Sequence, residues 1–324
     1  MTKRKGDDGR ALVRAVGIML SLVGWFTAAL GVPALADAPL RVCLQADDPP
    51  LSSRRSGEAS GFDVAVTKLL AGRLDRPLEV QWFTTRDDPD SNPVTEADAL
   101  LSDGHCVLLA GYPLVADKLG RPRAATGRLP PFEGAKPEDR RRWINLGEMV
   151  ATRAYRFDAI TVALSPARVE RPVERPVQSL ADLRDLKTGV VIHGLADLIA
   201  MSYRDGQLAE HVVHFDQSHA LFTQLESGDI DAALIGQREL DAWRIAHPAT
   251  HVAATGYRHS VGFNIGFVGL PTSGALIERV DAILADLLAH GSLIAIAQTS
   301  GLTYLTPRTP DVAPGVSLGA LGGD

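Results

Sequence analysis

Several residues in this chain carry chemistry at positions where a sheet could present it. Asp47-Asp48-Pro49-Pro50-Leu51 follows directly on an apolar run, Leu40 to Ala46. Prolines lack the N–H that a central strand needs, so the run must stop there. Asp47, Asp48 and Leu51 then fall just past a strand's carboxyl end, where open α/β sheets hold ligands. A solvated acidic turn is the alternative. Gly111 and Tyr112 close a later apolar run. Tyr112 could line a cleft with Trp82 and Phe83, or simply pack. His193-Gly194 precedes a helix start, where free backbone N–H groups favour anions, although His193 could equally be an ordinary strand-end residue. Gln217 lies near another helix start and is a weaker ligand candidate. Asp63 and Asp231 read as structural, the first near a helix N-cap and the second in a turn.

Other chemistry finds little to stand on. There is no G-x-S-x-G elbow and no phosphate-loop pattern. Among the nine histidines, His211 and His214 sit three apart in an expected strand, which points them to opposite faces. No cluster has metal-ligand spacing, so no metal and no cofactor are expected. Cys43 and Cys106 are the only cysteines. An even count in an exported chain suggests a disulfide, with two buried thiols as the alternative.

Export is suggested by the first 36 residues. Lys3, Arg4, Lys5, Arg10 and Arg14 precede an apolar stretch from Ala15 to Val32, and Ala34-Leu35-Ala36 fits a cleavage site. An uncut anchor is the other possibility, since the stretch has 18 residues. The full chain has 33 Lys+Arg and 39 Asp+Glu; without the five basic and two acidic residues of segment 1–36 it keeps 28 and 37, a formal charge near −9. That balance argues against broad nucleic-acid binding, which requires a basic face. Roughly 290 residues remain, large for one core and comfortable for two lobes.

The elements that must position these residues alternate between strand and helix. Strands are expected at 40–46, 78–83 and 106–111. The intervening helices are one with Val66, Leu69, Leu70 and Leu74 on its apolar face and a shorter one ending at Leu101. Leu119 to Asn145 breaks the pattern with four prolines and six arginines. It reads as an exposed excursion with a short helix near 137–143, either a docking site for an acidic protein surface or a solvated loop. A strand at 156–163 crosses to a second βα series. In it Ser179 and Asp182 have capping-box spacing, strands fall at 187–193, 211–215 and 231–236, and Asp216 or Ser218 caps a helix ending at Gly228. The chain returns through 258–267 to a helix carrying Leu276, Val280, Ile283, Leu284, Leu287 and Leu288, then a shorter one near 292–298. The Pro- and Gly-rich segment from 306 reads as disordered. The expected fold class is α/β and two-lobed, each lobe a mostly parallel sheet flanked by helices, with a two-strand hinge. The expected parts are a signal at 1–36, lobe 1 at 38–157 and 262–305, an inserted lobe 2 at 164–258, and a tail at 306–324.

Together Leu40-Arg-Val-Cys, Pro49-Pro-Leu-Ser, Gly61-Phe-Asp-Val, Gly189-Val-Val-Ile-His-Gly, Gly228-Asp-Ile-Asp-Ala-Ala-Leu-Ile and Gly291-Ser-Leu-Ile-Ala-Ile resemble the bacterial extracellular solute-binding protein family 3, of the type 2 periplasmic binding proteins. The resemblance implies a monomeric, non-enzymatic periplasmic protein that closes two lobes on a small ligand and serves an ABC transporter permease. It also places Gln237 at the ligand-facing end of a strand, where the family has an acid for the ligand ammonium. The family's carboxylate-binding Arg after the third strand is missing from Tyr112-Pro-Leu-Val-Ala-Asp-Lys118, and its Gly-Thr helix start is Gly194-Leu195. A standard amino acid is therefore not the expected ligand unless Arg121, Arg123 or Arg153 substitutes, because a buried zwitterion needs charged partners. Cys43 and the segment Gly104-His-Cys106-Val-Leu-Leu-Ala-Gly-Tyr-Pro also resemble proteins associated with quinoprotein (methanol-type) dehydrogenases. That resemblance implies an accessory of a periplasmic PQQ enzyme instead. Because some relatives of this fold are cyclohexadienyl dehydratases, an enzyme is a further alternative.

Overall fold

The computed structural model describes residues 38–54, 57–86, 91–170 and 176–323. The expected signal segment 1–36 lies outside the described residues. Strand β1 (Leu40–Gln45) is followed by a small hairpin, β2 (Asp47–Asp48) and β3 (Ser52–Ser53), then helix α1 (Phe62–Arg73), β4 (Leu78–Phe83), α2 (Pro93–Ser102) and β5 (Leu108–Pro113). β1 is the centre of this half and pairs in parallel with β4 and β5. Its residues alternate between two buried faces, as a strand's side chains must. Leu40 and Val42 enter one core with Phe62, Val66 and Leu70 of α1, whereas Cys43 enters another with Leu100, Leu101 and Leu109. Burying a side chain such as Leu70 stabilises the fold by roughly 1.5–3 kcal/mol. The second core contains the disulfide Cys43–Cys106, which ties β1 to the start of β5.

The excursion forms a two-stranded sheet, β6 (Thr126–Arg128) against β7 (Trp143–Asn145). The expected short helix there is one 3-10 turn at Asp139–Arg141. Next comes β8 (Val150–Leu164), fifteen residues long, and α3 (Pro166–Glu170). The second βα series contains β9 (Thr188–Val191), α4 (Leu195–Ser202), β10 (Val212–Phe215), α5 (Ser218–Ser227), β11 (Ala232–Gly236) and α6 (Gln237–Ala246). β12 (Ala253–Gly269) then returns, followed by α7 (Gly274–Ala289), α8 (Ser292–Ser300) and α9 (Leu318–Leu321).

Eight of the strands form one sheet in the order β10-β9-β11-β8-β12-β5-β1-β4. β8 and β12 are antiparallel along most of their length and are shared by both halves. β12 joins β5 in lobe 1, and β8 joins β11 in lobe 2. They are the two-strand hinge. Lobe 2 has its own two cores, one with Val162, Val190, Ile199 and Leu234, the other with Ala163, Leu221, Phe222 and Ile235.

Ser179 and Asp182 form the expected capping box. Neither Asp216 nor Ser218 caps α5, whose N-cap is Gln217 without a side-chain bond. Asp231 accepts hydrogen bonds from the Arg168 guanidinium at 2.7 Å and the Lys187 N–H at 3.0 Å, holding a turn. Residues 306–323, read from composition as a disordered tail, follow a defined path over both lobes instead. A Pro- and Gly-rich stretch with few apolar side chains can be held in place by backbone hydrogen bonds to an ordered neighbour, which composition does not report. Among the described residues no single helix is long and apolar enough to cross a membrane.

Candidate functional site

Two adjoining hollows of about 250 Å³ each lie where the lobes meet, and they share Asp158 and Arg238. The lobe 1 hollow is walled by Leu44, Leu51, Phe83 and Tyr112, with Asp48, Asp63 and Arg156 beside them. The lobe 2 hollow is walled by Val191, Gly194 and Leu195, by Ile235, and by Gly236 to Glu239.

The charged residues are placed by simple local rules. Arg156 and Asp158 are two apart on hinge strand β8, so both face the same side, into the cleft. The Arg156 guanidinium pairs with Asp158 and stands 3.6 Å from Asp63. Asp63 lies in the first turn of α1, but it is not a cap. Gly61 holds that position, with φ 115° and no side-chain cap bond; a Cβ there would fall 2.4 Å from the Leu51 carbonyl oxygen. The Asp63 carboxylate instead accepts the Tyr155 hydroxyl at 2.8 Å, and that hydroxyl accepts the Gly111 N–H at 3.0 Å. Gly111 has φ 74°, and a Cβ on it would sit 3.3 Å from Asp63. The positive φ and the missing side chain let the end of β5 approach a buried carboxylate.

Burial pushes the Asp63 carboxyl up to about 6, against the pull of Arg156 and the Tyr155 hydroxyl. Burial also opposes the charge on Arg156, yet Asp158 and Asp63 more than offset it and its pKa stands above the ordinary value. Arg238, the second residue of α6, reaches across the cleft to pair with Asp48 of lobe 1. Asp48 is the leading cause of its raised pKa. One ion pair therefore spans the two lobes at the ligand-facing ends of their strands.

The structure brings seven of the ten sequence candidates to this cleft. Asp48, Leu51, Phe83, Gly111 and Tyr112 line the first hollow, and Gly194 and Gln237 line the second. Asp47, His193 and Gln217 line neither and are exposed. The His193 N–H donates to Asp197 at 3.0 Å. The Tyr112 hydroxyl donates to the Lys118 carbonyl at 3.0 Å. Buried Gln237 has its amide direction fixed, since Nε2 donates to Asp241 at 2.9 Å and to Thr303 at 3.3 Å.

The expectation that the cleft walls lack paired charges is corrected. Asp48, Asp63, Arg156, Asp158 and Arg238 supply them from positions outside the family's pattern. None of the arginines considered as substitutes is the source. Arg121 and Arg123 line a separate surface hollow, and Arg153 is bonded to Asp281 through Nε at 3.1 Å and Nη2 at 2.7 Å. The missed signal was the Arg156-Phe-Asp158 alternation, a pair of opposite charges on one face of β8.

Among the described residues, no histidine lines either hollow, both cysteines are in the disulfide, and no group of three His, Cys, Asp or Glu could hold a metal ion. The arrangement offers charge, hydrogen bonds and apolar walls to a small molecule.

No protein-family model matches the chain, and no curated protein matches it. Solved structures do. The unliganded L-cystine solute receptor of Neisseria gonorrhoeae is 15% identical with a TM-score of 0.55, over 81% of this chain and 92% of that one. An ancestral cationic amino acid solute binding protein is 17% identical at a TM-score of 0.55, over 81% and 95%. A histidine kinase sensor domain similar to periplasmic binding proteins is 16% identical at 0.50, over 83% and 98%. This chain has the type 2 periplasmic binding protein fold. The resemblance to dehydrogenase-associated proteins has no counterpart among the structures named here.

Proposed function

We propose that this protein is an exported solute-binding protein whose lobes, 38–157 with 262–305 and 164–258, close on a small ligand at the hinge. One observation carries the reading: a hollow on each lobe opens onto the same two charged residues, Asp158 and Arg238, between the hinge strands. Closure would bring the two hollows together around one molecule. The ligand has charges of both signs. A zwitterion entering between Asp48 and Arg238 replaces one cross-cleft ion pair with two, ammonium to Asp48 and carboxylate to Arg238. The argument against an amino acid rested on missing charged partners for a zwitterion, and Asp48, Arg156 and Arg238 offer such partners. The names of the neighbouring cystine and cationic amino acid proteins supply the first probes. With segment 1–36 as an export signal, the site of action is the periplasm and the recipient an ABC transporter permease.

A thermal-shift screen of amino acids, amines and small carboxylates tests this. A ligand at 100 times its Kd adds about 2.7 kcal/mol of stability. The expected result is stabilisation by at least one zwitterion, cut to about half or less in Arg238→Ala. A flat screen, or hits that ignore Arg238 and Arg156, overturns it.

A further inference from the structure

We propose that residues 306–323 are a tether that joins the two lobes outside the hinge strands and limits how far they open. The segment is anchored on lobe 1 and the hinge first. Leu305 O accepts the Phe157 N–H of β8 at 2.9 Å. Buried Asn264 of β12 then holds the stretch from Arg308 to Asp311: its Oδ1 accepts the Arg308 N–H at 2.8 Å, and its Nδ2, with two hydrogens, is shared among the carbonyls of Arg308 at 2.6 Å, Pro310 at 3.1 Å and Asp311 at 3.0 Å. The Arg308 guanidinium lies 4.0 Å from the Phe157 ring centroid and donates to the Ser260 carbonyl at 2.8 Å. Ala313 completes this anchor, donating to Leu114 O and accepting from the Ala116 N–H, each at 2.9 Å.

The second anchor is on lobe 2. α9 packs on α4, and Leu321 is buried in the lobe 2 core with Tyr203 and Tyr257. Gly322 O accepts the Arg204 N–H at 3.4 Å. The buried His259 ring closes the contact. Its Nδ1 accepts the Val261 N–H at 3.0 Å, so Nε2 carries the hydrogen and donates to Gly323 O at 3.1 Å.

Between the anchors only Pro314 to Ser317 are exposed and without regular structure. The five Cα–Cα steps from Ala313 to Leu318, the start of α9, span at most about 18 Å when extended. While both anchors hold, separation of Ala313 from α9 is capped near that length, whatever the hinge strands allow. The tether acts with or without ligand and does not depend on which ligand the cleft takes.

Pulsed dipolar spectroscopy between spin labels on exposed Glu278 of lobe 1 and Glu210 of lobe 2 measures the lobe separation. Two variants of the full chain are compared with the parent. Leu321→Asp releases the lobe 2 anchor. An insert of roughly eight Gly and Ser residues between Gly315 and Val316 adds about 26 Å of slack while leaving both anchors docked. The tether predicts a shift to longer and broader distances in both variants, with unchanged hydrogen exchange inside each lobe's sheet. An unchanged distribution in the insertion variant overturns it, including where Leu321→Asp fails to fold.

Discussion

The two faces of the cleft use different materials. Lobe 1 presents side chains: carboxylates Asp48 and Asp63, the rings of Phe83 and Tyr112, and, from the hinge, Arg156. Lobe 2 presents the starts of α4 and α6, apolar side chains such as Val191, Leu195 and Ile235, and one long cation, Arg238, extended across the gap. The lobe 1 face is held by contacts of its own. Asp63, Tyr155 and Gly111 are hydrogen-bonded to one another in a buried cluster, and the disulfide ties two of the strands that support them. The lobe 2 face is simpler and depends on lobe 1 to neutralise Arg238.

That contrast can be attacked through stability. The largest effect is expected from the double variant Cys43→Ser/Cys106→Ser. Opening a covalent loop between residues 63 apart costs about 4 kcal/mol in the chain-entropy account. Hydrogen exchange should show the loss in β1 and β5 while β9 and β11 keep their protection; equal loss in both lobes would deny lobe 1 its separate support. Leu234→Ala is the mirror experiment. A fully buried lobe 2 leucine replaced by alanine costs about 3 kcal/mol, and here β9 and β11 should lose protection first.

Asp98 sharpens the point that lobe 1 carries costly buried charge. It is 6% exposed behind Tyr112, and burial pushes its carboxyl up to about 7, against the Tyr112 hydroxyl and Lys118. A folded pKa above the unfolded value gives a contribution that is full below about pH 4 and lost as pH rises to about 7. Asp98→Asn should therefore be more stable than the parent at pH 8, on the order of 2 kcal/mol, with the gap closing by pH 4. A gap that stays constant with pH would show that Asp98 does not titrate there. The smallest effect on stability belongs to Arg238→Ala. The ion pair with Asp48 is partly exposed, 37% and 24%, so the change should be under about 1 kcal/mol. Ligand affinity should nevertheless fall by about tenfold or more, read by calorimetry.

The sequence revealed the scaffold far better than the charges. Val66 and Leu70 at helical spacing, the Ser179–Asp182 box and the apolar runs of β1, β9 and β11 are local signals, and each marks an element in the structure. Candidates at strand ends, such as Asp48, Gly111 and Gln237, followed from topology, because the carboxyl ends of strands converge on the cleft. Asp63 was misread because its position in a first turn fits a cap; only the approach of Tyr155, 92 residues away, shows where its carboxylate goes. Arg238 was missed because its partner, Asp48, is 190 residues distant. The tail was misjudged for a similar reason: Asn264 and Leu114, which hold it, leave no mark in its own composition.

Small-angle scattering tests the central claim most directly, by comparing the parent chain with and without a saturating ligand from the thermal screen. Closure of two lobes over Asp158 and Arg238 predicts a smaller radius of gyration with ligand, and neither binding nor contraction in Arg156→Met/Arg238→Met. A ligand that binds tightly, leaves the radius unchanged and tolerates both replacements would contradict the account.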